Sequence, residues 1–88
     1  MFRLINLGVR MLINMSRRGL RNWVWFSRYR TAVLAPCYIC GWLLSFDEAT
    51  LDHVVPKSLG GKNELNNLEI CCAKCNHKKA DRLLKNNG

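Results

Sequence analysis

With 88 residues the chain has room for one domain, and a chain this short buries too small a share of its surface to rest on an apolar core alone. No apolar run approaches the ~20 residues of a membrane-crossing helix, so no membrane partner is expected. The formal charge of +8 favours an anionic polymer, with nucleic acid first among the candidates.

That charge is unevenly spread. Residues 1–36 carry seven arginines, no lysine and no acid. Residues 37–88 carry six lysines, one arginine and all six acids. Residues 1–16 form an N-terminal extension with little information: Leu4, Ile5, Gly8, Met11, Leu12 and Met15 recur at helical spacing, and Met11 and Met15 are alternative starts. An Arg-rich, acid-free beginning also fits an organellar transit segment, although serine is sparse there (Ser16 and Ser27). A cytoplasmic, reducing setting is the expectation, because thiols spaced for a metal suit it.

Residues 17–36 read as a basic aromatic helix that Pro36 ends. Trp25, Phe26, Tyr29, Ala32 and Val33 make its apolar stripe. Arg17, Arg21 and Arg28 gather on another face, where they are placed to touch phosphates. Trp23 lies away from the stripe. Cys37–Tyr38–Ile39–Cys40–Gly41 follows as a zinc-knuckle turn, in which glycine tolerates a positive φ. Residues 49–55 read as a strand and Pro56 closes it. Residues 57–67 form a Gly- and Asn-rich loop, residues 68–71 pair back as a second strand, and residues 73–85 read as a helix with Lys74, Lys78, Lys79, Arg82 and Lys85 exposed. The fold class is small α+β.

Five cysteines are present, and four of them form two Cys-x-x-Cys pairs, Cys37/Cys40 and Cys72/Cys75, with 31 residues between the pairs. Paired spacing twice over is metal spacing, and four thiolates suit the closed tetrahedron of structural zinc. Such a site supplies folding energy that a small core lacks. Cys71 is left over and reads as a small core residue.

Asp52, His53, Asn67 and Asn76 form the second constellation. Phosphodiester hydrolysis needs a base for water, and an imidazole suits that task near neutral pH. It also needs charge stabilisation at the phosphate and the leaving oxygen, which a divalent cation supplies. Hard cations take oxygen donors, so Asp52 and the amide oxygen of Asn76 qualify. Neighbouring residues in a strand point to opposite faces, so Asp52 and His53 share one site only if the strand ends, twists or bulges there.

The run Thr50–Leu51–Asp52–His53–Val54–Val55–Pro56, then Gly60–Gly61, Asn67–Leu68, Cys72–Ala73–Lys74–Cys75–Asn76 and Lys79, resembles the HNH endonuclease family over about residues 37–82. The resemblance extends to the upstream knuckle pair. It implies the ββα-metal, or His-Me finger, core with a four-cysteine structural zinc site, in an HNH nuclease domain spanning 37–85. It also implies His53 as general base, Asn67 as the loop-holding residue that orients it, and Asp52 and Asn76 as ligands of one catalytic cation (Mg²⁺, Mn²⁺, Ni²⁺ or Zn²⁺). Lys79 matches a family lysine placed against phosphate, and Lys78 and Lys57 would add to the nucleic-acid surface. His77, beside Asn76, either competes for the metal, contacts DNA or stands exposed.

The expected activity is metal-dependent hydrolysis of DNA, with double-stranded DNA as partner. The alternative is a zinc-stabilised nucleic-acid-binding module without catalysis. The small reading surface suits a homodimer or a partner protein, and small members from phages and mobile elements resemble this chain in size.

Overall fold

A computed structural model of the chain describes residues 15–80. The expectations placed on residues 1–14 and on Arg82 and Lys85 lie outside the described residues. Helix α1 spans Arg17–Tyr29. Ser16 caps it, its hydroxyl accepting from Gly19 N at 3.1 Å, which satisfies one of the free amides of the first turn. Leu20, Val24 and Trp25 are its buried residues.

Helix α1 is shorter than its sequence pattern suggests. Arg30 takes a φ of 54°, which breaks the helix well before Pro36. The chain then forms β1 (Leu34–Pro36), which pairs antiparallel with β2 (Leu43–Ser45). Proline therefore sits in a strand, in register with Leu43. Ala32 and Val33 leave the expected stripe, and Val33 is 81 % exposed. Phe26 is also largely exposed, while Trp23 packs against the core from a half-buried position.

The arginine face is corrected in the same way. Arg17, Arg21, Val24 and Arg28 recur at helical spacing on one side, and Val24 is fully buried there. The guanidiniums clip α1 to the rest of the chain. Arg17 Nη2 donates to Leu51 O at 2.6 Å. Arg21 Nη1 donates to Phe46 O at 2.9 Å and Ala49 O at 3.0 Å, and its guanidinium lies 4.3 Å from the centre of the Phe46 ring. Arg28 pairs with Glu69 at 2.5 Å and donates to Leu65 O at 2.7 Å. Backbone carbonyls near strand ends and turns need donors, and long arginine stems bring them while covering apolar surface. Arg21 and Arg28 are thus engaged within the fold rather than turned to phosphate.

β3 (Thr50–His53) and β4 (Leu68–Cys71) form the second antiparallel pair, with Asp52 opposite Glu69 and His53 opposite Leu68. β3 stops at His53, two residues earlier than the β-branched run suggests. Between the strands, Lys57–Leu59 and Leu65–Asn67 are single 3₁₀ turns. Helix α2, Ala73–Lys79, follows β4 directly, with the Cys72 side chain at its N-cap accepting from Cys75 N at 3.3 Å. Two antiparallel strands followed by a helix are the ββα arrangement. The core gathers residues from α1 and both strand pairs, including Trp25, Ala35, Leu44, Leu51, Leu68 and Ile70. Among the described residues, no helix is long and apolar enough to cross a membrane.

Candidate active site

The knuckle is built by short-range bonds. Gly41 N donates to Cys37 O at 2.9 Å, and Cys37 N donates to Trp42 O at 2.8 Å. Gly41 takes a φ of 80°, the left-handed region that glycine enters without strain. Tyr38 N donates to Ile70 O at 3.0 Å, which fastens the knuckle to β4. Cys72 and Cys75 come from the start of α2.

These two arms bring the Sγ atoms of Cys37, Cys40, Cys72 and Cys75 within 4.8 Å of one another. A tetrahedron of thiolates around zinc has sulfur–sulfur edges of roughly 3.8 Å, from Zn–S bonds of ≈ 2.3 Å. Cys40 and Cys72 stand 3.9 Å apart. The donor set and spacing fit a metal. Cys72 joins the cluster and Cys71 does not; it is fully buried, with its sulfur 3.8 Å from that of Cys37.

The thiols differ in acidity. Burial pushes the Cys37 thiol up, but the Cys40, Cys72 and Ile39 backbone amides, together with the Cys40 side chain, outweigh it and bring the group down to about 6. Cys75 is pushed up to about 12, by desolvation first and then by the thiols around it. Cys71 is raised by burial and by the nearby charge of Cys37. Of Cys37, Cys71 and Cys75, Cys37 is therefore the most acidic.

Asp52, His53 and Asn76 line one cavity of about 380 Å³, together with Arg17, Lys57 and Ser58. Asp52 and His53 are both buried, 4 % and 8 % exposed. The strand ends at His53, and from there Val54 N donates to Asn67 O at 2.9 Å. Ending the strand is what lets adjacent side chains serve one cavity. Asn76 Nδ2 donates to Thr50 Oγ1 at 2.9 Å and Leu51 O at 3.0 Å. Its Oδ1 is left without a hydrogen-bond partner among the described residues. Asp52 Oδ2 accepts from the Tyr38 hydroxyl and from Lys79 Nζ at 2.9 Å, and Oδ1 is likewise unengaged among the described residues. Two unengaged oxygens on one cavity fit a hard cation.

His53 is oriented by a residue the sequence pattern does not single out. Its Nε2 lies 2.6 Å from Asn63 Oδ1. An amide oxygen only accepts, so Nε2 donates to it, which in the neutral imidazole leaves the lone pair on Nδ1. Asn67 acts one step back. Its Oδ1 accepts from Val55 N at 2.8 Å, and its Nδ2 donates to Val55 O at 3.1 Å and Lys62 O at 3.0 Å. It closes the loop that carries Asn63. The same loop needs Gly61, because a Cβ there would fall 1.6 Å from Val55 O. We expect Asn67→Ala to lose about 1–3 kcal/mol of stability, read as a lower urea midpoint, since three bonds to backbone go at once. An unchanged midpoint would show that the loop is held by other means.

Lys79 is the main correction. The helix pattern places it on the exposed face, and the family resemblance places it against phosphate, but its ammonium is buried, its side chain 1 % exposed. It donates to Asp52 Oδ2 at 2.9 Å, His53 O at 2.7 Å and Val54 O at 3.2 Å. An ammonium has three donors, and all three are used. Lys78 and His77 are exposed on α2, and His77 is not among the residues lining the cavity. Tyr38 is a site residue that no sequence pattern marks. Burial, then the Asp52 carboxylate, raises its phenol well above the ordinary value, so it stays protonated and donates.

A family model described as HNH endonuclease matches residues 37–87, more than half of the chain. Comparison with curated proteins and with solved structures gives no match. The matched span begins at the first knuckle cysteine and takes in the four-thiol cluster, both strands of the ββα unit and the Asp52, His53 and Asn76 cavity. On that span the chain belongs to the HNH endonuclease family.

Proposed function

We propose that the protein is a metal-dependent endonuclease that hydrolyses DNA phosphodiester bonds, with His53 as general base. Family membership implies nuclease chemistry on nucleic acid; DNA as substrate and the roles of individual residues are the proposal. The observation that carries it is the shared cavity of Asp52, His53 and Asn76, lined by an imidazole bonded through Nε2 to Asn63 and by two side chains that each offer an oxygen unengaged among the described residues.

His53 Nδ1 takes a proton from water as the water oxygen attacks phosphorus, and the bond to the 3′ oxygen breaks. Asn63 holds the imidazole in the tautomer this requires, and Asn67 holds the loop. Asp52 Oδ1 and Asn76 Oδ1 would hold a divalent cation (Mg²⁺, Mn²⁺, Ni²⁺ or Zn²⁺). Bound there, such a cation supplies Lewis acidity to the phosphate and the leaving oxygen. Arg17 and Lys57 line the same cavity and give it positive charge on the substrate side. Lys57, Lys78 and Arg17, all exposed, are the side chains we assign to the DNA backbone. The four thiols suit zinc as the structural ion.

The test is cleavage of a supercoiled plasmid with Mg²⁺ or Mn²⁺. Wild type should convert it, and His53→Ala should fall by about 10²–10⁴-fold, the usual contribution of a positioned base. Salt-sensitive plasmid binding with no product in either protein would favour the non-catalytic binding module instead.

A further inference from the structure

Asp52 is held by donors from both arms of the cysteine cluster. Tyr38 lies inside the knuckle, between Cys37 and Cys40, and its hydroxyl donates to Asp52 Oδ2. Lys79 closes α2, the helix that starts from Cys72 and contains Cys75, and its ammonium meets the same oxygen at 2.9 Å. The two arms touch each other at the cluster, where Cys40 and Cys72 are 3.9 Å apart although they stand 32 positions apart in sequence. A metal held by the thiols would therefore fix the origin of both donors.

The two donors do different work. An ammonium is a compact charge with three rotatable donors, and it would pair with either oxygen of the carboxylate. A phenol offers one directional donor. Tyr38 is also pinned at its own backbone, through Tyr38 N to Ile70 O, and its ring packs on the core. Its hydroxyl thus selects Oδ2 for the internal pair.

We propose that Tyr38 is a positioning residue for the nuclease centre: it ties Asp52 Oδ2 to the knuckle and so presents Oδ1, beside Asn76 Oδ1, to the divalent cation. This rests on the reading of Asp52 and Asn76 as that cation's ligands. It makes the cysteine cluster more than a staple, since the loop it shapes sets the orientation of the carboxylate. Without the hydroxyl, Asp52 is free to turn either oxygen towards Lys79 and away from the cation.

The test is Mn²⁺ binding to the zinc-loaded full chain, followed by electron paramagnetic resonance, with zinc content measured on each sample. Wild type should bind Mn²⁺ at a site that Asp52→Asn removes. Tyr38→Phe should keep its zinc and bind Mn²⁺ about 10–100-fold more weakly, the range for losing a partner that orients a ligand. Adding Tyr38→Phe to Asp52→Asn should change nothing further. Wild-type Mn²⁺ affinity in Tyr38→Phe would overturn the inference alone. Loss of zinc from Tyr38→Phe would also overturn it, since the residue would then serve the knuckle fold. No Mn²⁺ binding by wild type would instead remove the reading of Asp52 as a ligand, and the inference with it.

Discussion

Stripping the metal from the Cys37, Cys40, Cys72 and Cys75 cluster is expected to unfold the protein. The buried apolar core of the described residues is eleven side chains, and two of these are Cys37 and Cys71. A core of that size leaves only a small surplus over chain entropy. Structural zinc in small peptides contributes about 10–16 kcal/mol at neutral pH, as much as the whole stability of an ordinary domain. The cluster also closes a long loop: it ties the knuckle to the start of α2 and so holds β3 and β4 between them. Without an ion, nothing bridges the four sulfurs that lie within 4.8 Å of one another. Chelation should therefore abolish the cooperative thermal transition seen by circular dichroism, and zinc should restore it. Cys72→Ser should behave like the chelated protein. A chelated chain that keeps its transition would show that the core suffices.

Lys79→Met is expected to cost about 3–5 kcal/mol, the cost of breaking one side of a buried ion pair. Methionine keeps much of the stem's volume, so packing changes little. What is lost is the positive charge beside Asp52, whose side chain is 6 % exposed, and the donor to His53 O and Val54 O. Asp52 would then be a buried carboxylate held by Tyr38 alone. The check is a urea titration of three proteins. Lys79→Met should show a much lower midpoint, and Lys79→Met with Asp52→Asn should recover part of it, because the stranded charge is removed as well. A single variant as stable as wild type would mean that the pair is not needed for the fold. An exposed lysine reaching for phosphate would behave differently: its loss would weaken DNA binding and leave the midpoint unmoved.

The contrast between Lys79 and the cysteines shows what is legible in the chain. The Cys-x-x-Cys pairs are readable because three-residue spacing and a following glycine or helix start place two sulfurs together by local backbone geometry. The two central strands and the helix after Cys72 are likewise readable, with ends shifted by a few residues. The β1–β2 hairpin is not, since three-residue strands carry too little alternation to register, and Pro36 looks like a helix stop. The internal partners of Arg17, Arg21 and Arg28 are hidden for a related reason. Helical spacing says which residues share a face, and it does not say that Leu51, Phe46 and Leu65 will present carbonyls to that face.

By itself the sequence determined the four thiols spaced for a metal, the strand–strand–helix order and the adjacency of Asp52 and His53, because each depends on residues close in the chain or on a spacing that chemistry restricts. Only the tertiary structure decided how that pair is held. Asn63 reaches His53 across 10 residues, Tyr38 reaches Asp52 across 14, and Lys79 reaches His53 O across 26. Buried charges and ring nitrogens take whichever partner the packed chain brings within hydrogen-bond distance, and no local pattern encodes that choice.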